Sequence, residues 1–251
     1  MKSKDEVKEF YEKFSKTLIR DKIYPNSRHY KIKSYLRNIF FENQIEKVLE
    51  IGCGIGILSE YISKKGKKVT SIDISEENIK FAKSTVKNVE FHAGDFLEFS
   101  FNDKYDLITL FDVLEHIPKE KHSIVFKKIK ELSNENSLIV ITIPDAQFLN
   151  YTREHRPEIL QVVDESIYFN ELKNIIDEKN LEILKYEKYG IDYDNQYRFF
   201  LLGNKKMSYK PEINLILKER KMKKVFRKII RVKLLQEKLN TVNILKINYQ
   251  S

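Results

Sequence analysis

The run KVLEI (47–51) passes without a break into Gly52-Cys53-Gly54-Ile55-Gly56 and then into a helical pattern over Ile57–Lys65. Three of the chain's seven glycines fall within these five positions. Glycine tolerates left-handed backbone and lets N–H groups come close to a ligand where a Cβ would collide. The same alternation of apolar run and helical pattern continues down the chain, as in a wound parallel sheet. Strand-like runs follow at KVTSIDI (68–74), VEFHAG (89–94), YDLITLF (105–111) and SLIVITI (137–143), with helices between them over Glu76–Val86 and Lys119–Leu132. Ser75 before Glu76 and Glu77 is a helix start, an N-cap followed by acids at the positive end of the dipole. Gly66 and the stretch Asn134–Asn136 read as helix stops, and Pro144–Ser166 reads as irregular. A helix at Phe169–Lys179 precedes two more runs, 181–190 and 197–204. No helix separates these two, so they suit an antiparallel hairpin beside the parallel strands.

With 41% hydrophobic and 12% aromatic residues in 251, the chain can fill one large core. Its first residues mix charges with aromatics and contain no apolar signal segment. No uncharged run reaches the roughly 18–20 residues that span a bilayer. The single cysteine, Cys53, excludes an internal disulfide and suits a small buried position in the turn. These features point to a cytoplasmic protein. The net charge of +9 is concentrated at the C-terminus, where residues 206–251 hold 13 Lys/Arg against three Asp/Glu. The body is close to neutral, so a whole-chain argument for nucleic-acid binding does not apply to it.

Three strand ends carry residues suited to one nucleoside. The dinucleotide pattern G-x-G-x-x-G needs glycine at position 57, which is Ile57, and Glu50 adds negative charge where a pyrophosphate would lie. The turn therefore suits a cationic ligand better than an anion. Asp73, 21 residues after Gly52, can accept hydrogen bonds from ribose hydroxyls. Asp95 can accept from an adenine amino group, with Phe96 beside it as a stacking surface. Ligands of open α/β sheets bind outside the carboxyl ends of the strands, where all of these lie.

VLEIGCGIG, VTSIDIS, AGDFLEF and YDLITLFDVLEHIP resemble, in order and spacing, the successive motifs of the class I S-adenosylmethionine (SAM)-dependent methyltransferases. The likeness is close over 45–145 and looser over 1–205. It implies an α/β, Rossmann-like, mostly parallel seven-stranded sheet with helices on both faces and an antiparallel last strand. It implies further that Glu50, Gly52, Gly54 and Gly56 surround the methionyl part of SAM, that Asp73 holds the ribose and Asp95 and Phe96 the adenine, and that Asp112 faces the cofactor. Three parts follow: an N-terminal helical lid (1–44, with a helix over Lys4–Arg20), the SAM-binding domain (45–205) and a basic tail (206–251). In the lid, Arg28 is placed to pair with the SAM carboxylate, and Tyr11, Tyr24 or Tyr30 to pack on the ligand.

SAM brings its own leaving group, so alignment supplies much of the rate, and a hydroxyl acceptor also benefits from a general base. His116, at the end of the fourth strand run, and His155, in the segment after the fifth, are the candidates. Packing of the loop and a solvated histidine are the respective alternatives. The family's Asn/Asp-Pro-Pro-Tyr/Phe motif for nucleobase amines is absent after the fourth strand, as is a cysteine for cytosine C5 attack. No zinc-ligand spacing occurs. Residues 112–118 and 144–166 resemble methyltransferases of quinones, sugars and cell-surface glycans. The expected reaction is therefore O-methylation, in preference to N-methylation, of a small-molecule or glycan acceptor.

Within the tail, Pro211–Asn248 alternates apolar and basic residues. Such a segment can dock on the domain or on a second copy as a homo-oligomer contact. It can instead lie on an anionic membrane surface, which would make the protein peripheral at the inner membrane face, or grip nucleic acid. An RNA methyltransferase that uses the tail, or a non-catalytic scaffold, is the alternative function.

Overall fold

A computed structural model describes residues 18–23, 26–161 and 163–207. The helix read at Lys4–Arg20 falls mostly outside these residues, as do Tyr11, Tyr24 and the tail from 208 onward; residues 18–23 are helical. Among the described residues no helix is long and apolar enough to cross a membrane.

The elements are α1 (Ser27–Glu42), β1 (Lys47–Ile51), α2 (Ile57–Ser63), β2 (Lys68–Asp73), α3 (Glu76–Thr85), β3 (Glu90–Ala93) and β4 (Tyr105–Phe111). A 3-10 turn (Leu114–His116), α4 (Lys119–Glu131), β5 (Ser133–Pro144), α5 (Ala146–His155), a second 3-10 turn (Pro157–Ile159), α6 (Phe169–Glu178), β6 (Leu181–Tyr189) and β7 (Tyr197–Asn204) complete them. The seven strands form one sheet in the order β3-β2-β1-β4-β5-β7-β6. Neighbours run parallel except at β7, which is antiparallel to both β5 and β6. Strand order reverses between β1 and β4, and such switch points open a crevice above the sheet.

Strand residues alternate between two cores, as a side-chain period of two requires. Leu49, Ile51, Ile108, Leu110, Ile139 and Ile141 face α4 and α6, where they meet Phe126, Ile129, Leu172 and Ile176. Val48, Leu107, Val140, Phe199 and Leu201 face the other way and meet Ile32, Tyr35, Leu36 and Ile39 of α1. With both faces covered, the central strands bury nearly every residue. The edges are a four-residue β3 and a β6 that carries Lys185, Glu187 and Lys188, which suits strands with an unpaired side.

Besides α1, which falls in the region read only as a helical lid, the sequence reading missed one helix. Residues 146–155, whose composition suggests irregular structure, form α5, whose N-cap Asp145 accepts from Gln147 N–H at 2.9 Å. Ala146, Leu149 and Thr152 bury its inner side. The aromatic and charged residues that suggested a loop lie on its outer side, where Tyr151 is 58% exposed. β5 is also longer than expected and begins at Ser133, because Asn134–Asn136 extend the strand across a pairing irregularity. Arg198, buried on β7, secures this region from below. It lies 3.6 Å from Asp145 Oδ2 and donates to the carbonyls of Pro144 and Ile167.

Candidate functional site

The crevice at the switch point has two adjoining lobes, of about 290 and 170 Å³. Gly52, Asp73, Asp112 and His116 line both. Glu50, Gly54, Arg28 and Asn78 border the larger lobe, and Asp95 and Phe96 the smaller. The residues at the ends of β1, β2, β3 and β4 that the sequence singled out thus meet in one place.

The glycine turn has the shape that its composition requires. Gly52, Gly54 and Gly56 all have positive φ, at +70°, +52° and +76°, a region that side chains rarely enter. A Cβ on Gly52 would lie 2.3 Å from Val113 Cγ2, so no larger residue fits there. The turn is tied to β2 at its base, Gly52 N–H donating to the Ile72 carbonyl at 2.8 Å. At its tip Gly54 N–H donates to Asp73 Oδ2 at 2.7 Å. The other Asp73 oxygen accepts from Ser75 N–H at 3.0 Å and Asn78 Nδ2 at 3.4 Å. Burial raises this carboxyl above its ordinary range against those bonds. Gly56 lines neither lobe; it serves as the N-cap of α2.

Glu50 is 3% exposed and accepts from Ser59 Oγ at 2.5 Å, while Ser71 Oγ donates to Ser59 Oγ at 3.1 Å. Burial and then the nearby Asp73 push Glu50 up to about 8. Cys53 is a free, buried thiol raised well above its ordinary value by burial, so it is not a reactive thiolate.

Asp112 follows β4 with φ +56°, a conformation that aspartate tolerates better than most residues. Its N–H donates to Thr142 O and its Oδ1 accepts from Thr142 Oγ1, both at 2.9 Å. Its Oδ2 lies 2.7 Å from Arg28 Nη1. Burial disfavours the Arg28 charge, but Asp112 and then Tyr197 and Tyr189 outweigh it and raise the guanidinium further. Arg28, read as a partner for a ligand carboxylate, therefore lines the crevice while engaged with Asp112. Tyr30 is 44% exposed and does not line it. Leu18, from residues 18–23, sits over Gly54, and Lys22 holds this segment down at 3.6 Å from Glu60 and 3.1 Å from Thr85 Oγ1.

His116 projects from the first 3-10 turn with a 12% exposed side chain. Its Nδ1 is 2.6 Å from the Val163 carbonyl and 3.2 Å from Asp164 Oδ1, and Glu115 Oε1 is 3.9 Å from Nε2. Burial opposes the imidazolium, but Glu115, Asp164 and the Val163 carbonyl together raise His116 to about 9. Glu115 moves upward too, chiefly by burial, and its Oε2 has no hydrogen-bond partner among the described residues.

His155 is not brought to the site. Each step of three residues turns a helix by 300°, so three such steps from Ala146 carry position 155 to the opposite side of α5. There its ring stacks on Tyr151, centroids 4.2 Å apart, and its Nδ1 is 3.0 Å from the Tyr151 carbonyl.

Several lining residues had no signal of their own. Phe148 and Thr152 depend on α5 being a helix, Tyr197 and Gln196 arrive through the antiparallel return of β7, and Asp164 lies in a segment without regular structure. His29 has one local cue, its place beside Arg28. It is 7% exposed, and burial and then Arg28 hold it down to about 3.

The curated protein relatives include a ubiquinone biosynthesis O-methyltransferase of Glaesserella parasuis serovar 5 (strain SH0165), 37% identical over 107 residues. That match covers 39% of this chain and 44% of the relative. A ubiquinone biosynthesis O-methyltransferase of Bordetella avium (strain 197N) is 40% identical over 82 residues, 30% of this chain and 34% of the relative. The chain thus spans less than half the length of these curated relatives. Among solved structures, magnesium protoporphyrin IX methyltransferase from Synechocystis PCC 6803 with bound SAH has a TM-score of 0.63 at 16% identity, over 80% of this chain and 99% of that one. A SAM-dependent methyltransferase from Clostridium acetobutylicum ATCC 824 has a TM-score of 0.58 at 15% identity, over 69% and 91%. At these identities the likeness is one of fold. The family described as "Methyltransferase domain" matches residues 8–186, which include the glycine turn, the strand ends that gather around it and the loop after β4. With this match added to the sheet order and the crevice, the chain belongs to the class I SAM-dependent methyltransferases.

Proposed function

We propose that this protein transfers a methyl group from SAM to a hydroxyl group of a small-molecule or glycan-like acceptor. The observation that carries the reading is Asp73, which is fixed to the glycine turn through Gly54 N–H and borders both lobes of the crevice. One carboxylate then stands between a glycine cradle and the aromatic lobe of Phe96, as a ribose between methionine and adenine requires. The lining also fits a cation: the carboxylates of Asp73, Asp112 and Asp164 border the larger lobe, with Arg28 as its permanent cation. When bound, SAM supplies an electrophilic methyl group whose leaving group is a neutral thioether.

The residues of the chain divide the remaining work. Gly52 and Gly54 give the ligand close access to backbone, Asp73 holds the ribose, and Asp95 and Phe96 hold the adenine. Arg28 and Asp112 flank the methionyl end. His116, which lines both lobes, receives the acceptor proton in its neutral form, which becomes the main form only as pH rises through about 9. Phe148, Leu149, Thr152, Gln161 and Tyr197 form the wall on the acceptor side, apolar with a few polar groups, as small-molecule sites are. The name O-methyltransferase carried by the curated relatives supports a hydroxyl acceptor.

Calorimetric titration with S-adenosylhomocysteine tests the reading. Wild type should bind it, and Asp73→Ala should weaken binding about 10- to 100-fold, the worth of one or two charge-assisted hydrogen bonds. Unchanged affinity in Asp73→Ala, or no binding by the wild type, overturns it.

A further inference from the structure

Asp164 lies in a segment with no regular secondary structure, yet it is held from several sides. Its Oδ2 accepts from Gln161 N–H at 2.6 Å. Its carbonyl accepts from Arg153 Nη2 of α5 at 2.6 Å, and Arg153 Nη1 reaches Ser166 Oγ at 3.2 Å. One residue on, Glu165 N–H donates to the Glu115 carbonyl at 2.8 Å and clamps the segment to the 3-10 turn that carries His116. The side chain is 9% exposed, and its Oδ1 faces His116 Nδ1 at 3.2 Å.

The contacts at Nδ1 dictate where the imidazole hydrogen sits. Two acceptors, Asp164 Oδ1 and the Val163 carbonyl, share this nitrogen. Neither can donate to it, so Nδ1 carries the hydrogen, donates it to the Val163 carbonyl and holds it beside Asp164 Oδ1. In the neutral ring the lone pair is then on Nε2. A base oriented by a third group is the arrangement by which side chains of modest basicity become useful catalysts. We propose that Asp164 is the positioning residue of the reaction, fixing the hydrogen of His116 on Nδ1 so that Nε2 takes the proton of the acceptor hydroxyl.

The proposal rests on the role given to His116 above. In the step it serves, the hydroxyl oxygen forms a bond to the methyl carbon as that carbon's bond to sulfur breaks, the bonding pair staying on sulfur. The hydroxyl proton passes to His116 Nε2, and the positive charge that began on sulfur ends on the imidazolium beside Asp164. The charged and titratable groups around His116 are Glu115 on its own turn, Asp112 before it and Asp164 across from it, with Arg28 of α1 and Tyr197 of β7 beyond Asp112. Of these, Asp164 is the carboxyl that reaches Nδ1.

The test begins without cofactor. In uniformly ¹⁵N-labelled protein, long-range ¹H–¹⁵N correlation reports tautomer and titration midpoint for each of the five histidines, and His116→Gln identifies the His116 signals. Wild type should show the Nδ1–H form when neutral. Asp164→Asn should lower the His116 midpoint by about one pH unit or more, the usual influence of an adjacent opposite charge, and Asp164→Ala should also populate the Nε2–H form. The acid limb of kcat/KM should move down with the midpoint in Asp164→Asn, while S-adenosylhomocysteine affinity stays as in wild type. An unchanged His116 midpoint and tautomer in both variants overturns the proposal. Loss of nucleoside binding in the wild type would instead strike at the methyltransferase reading, and full turnover in His116→Gln at the base assigned to it.

Discussion

Arg28 Nη1 stands 2.7 Å from Asp112 Oδ2, so a charge pair ties the first turn of α1 to the loop leaving β4 across the mouth of the crevice. The two residues are 84 positions apart and come from opposite flanks of the glycine turn. If Arg28 also meets the ligand carboxylate, its loss should be felt only by ligands that have one. Arg28→Met should weaken S-adenosylhomocysteine about 10- to 100-fold and leave 5′-methylthioadenosine, which lacks the amino-acid carboxylate, within about twofold. Equal losses for the two ligands in calorimetry would remove Arg28 from carboxylate recognition.

Glu50 gives a prediction about stability and pH. Its folded value of about 8 exceeds the unfolded value of about 4.3, so at neutral pH the folded chain keeps a proton that the unfolded chain has released. The resulting advantage is fully present below the unfolded value and is lost as pH rises through the folded one. Glu50→Gln keeps an acceptor for Ser59 without this dependence. Urea unfolding should show the variant gaining on wild type between pH 5 and pH 8.5, by a few kcal/mol at most. An equal difference at both pH values would contradict a protonated Glu50.

Arg198 should matter to the fold more than its place on a strand suggests. Its guanidinium meets Asp145 and the carbonyls of Pro144 and Ile167 beneath the acceptor wall. Arg198→Ala leaves Asp145 with Lys188 at 3.0 Å and the carbonyls without this donor. The expected loss is about 3–5 kcal/mol, as for other broken buried pairs, seen as a lower urea midpoint. A loss below about 1 kcal/mol would mean that water replaces the guanidinium.

The two candidate histidines should behave oppositely. His116→Gln should reduce kcat about 10²- to 10⁴-fold, the usual contribution of general base catalysis. His155→Ala, altering an exposed ring stacked on Tyr151, should leave kcat and KM within about twofold. Steady-state kinetics on an identified acceptor separates the two, and a large loss in His155→Ala would bring α5's outer face into the site.

The central part of the fold was legible because its signals are local. A strand that runs into Gly52, Gly54 and Gly56 imposes a left-handed turn, and strand ends at Asp73, Asp95 and Asp112 lie on one edge because parallel strands share a direction. α5 was not legible: Asp145 is a sound N-cap, but only three inner residues, Ala146, Leu149 and Thr152, mark its buried side, and exposed aromatics masked that spacing. The placement of the histidines depended on packing. His116 and His155 each follow a glutamate and stand two residues before a proline, and the helical drift of α5 turns one outward while the backbone clamp from Glu165 to Glu115 holds the other against Asp164. Periodicity and glycine placement are properties of neighbouring residues and can be read along the chain. The contacts of Arg28 with Asp112, Arg198 with Asp145 and Asp164 with His116 join residues far apart in sequence, and they exist only once the sheet has set the distance between them.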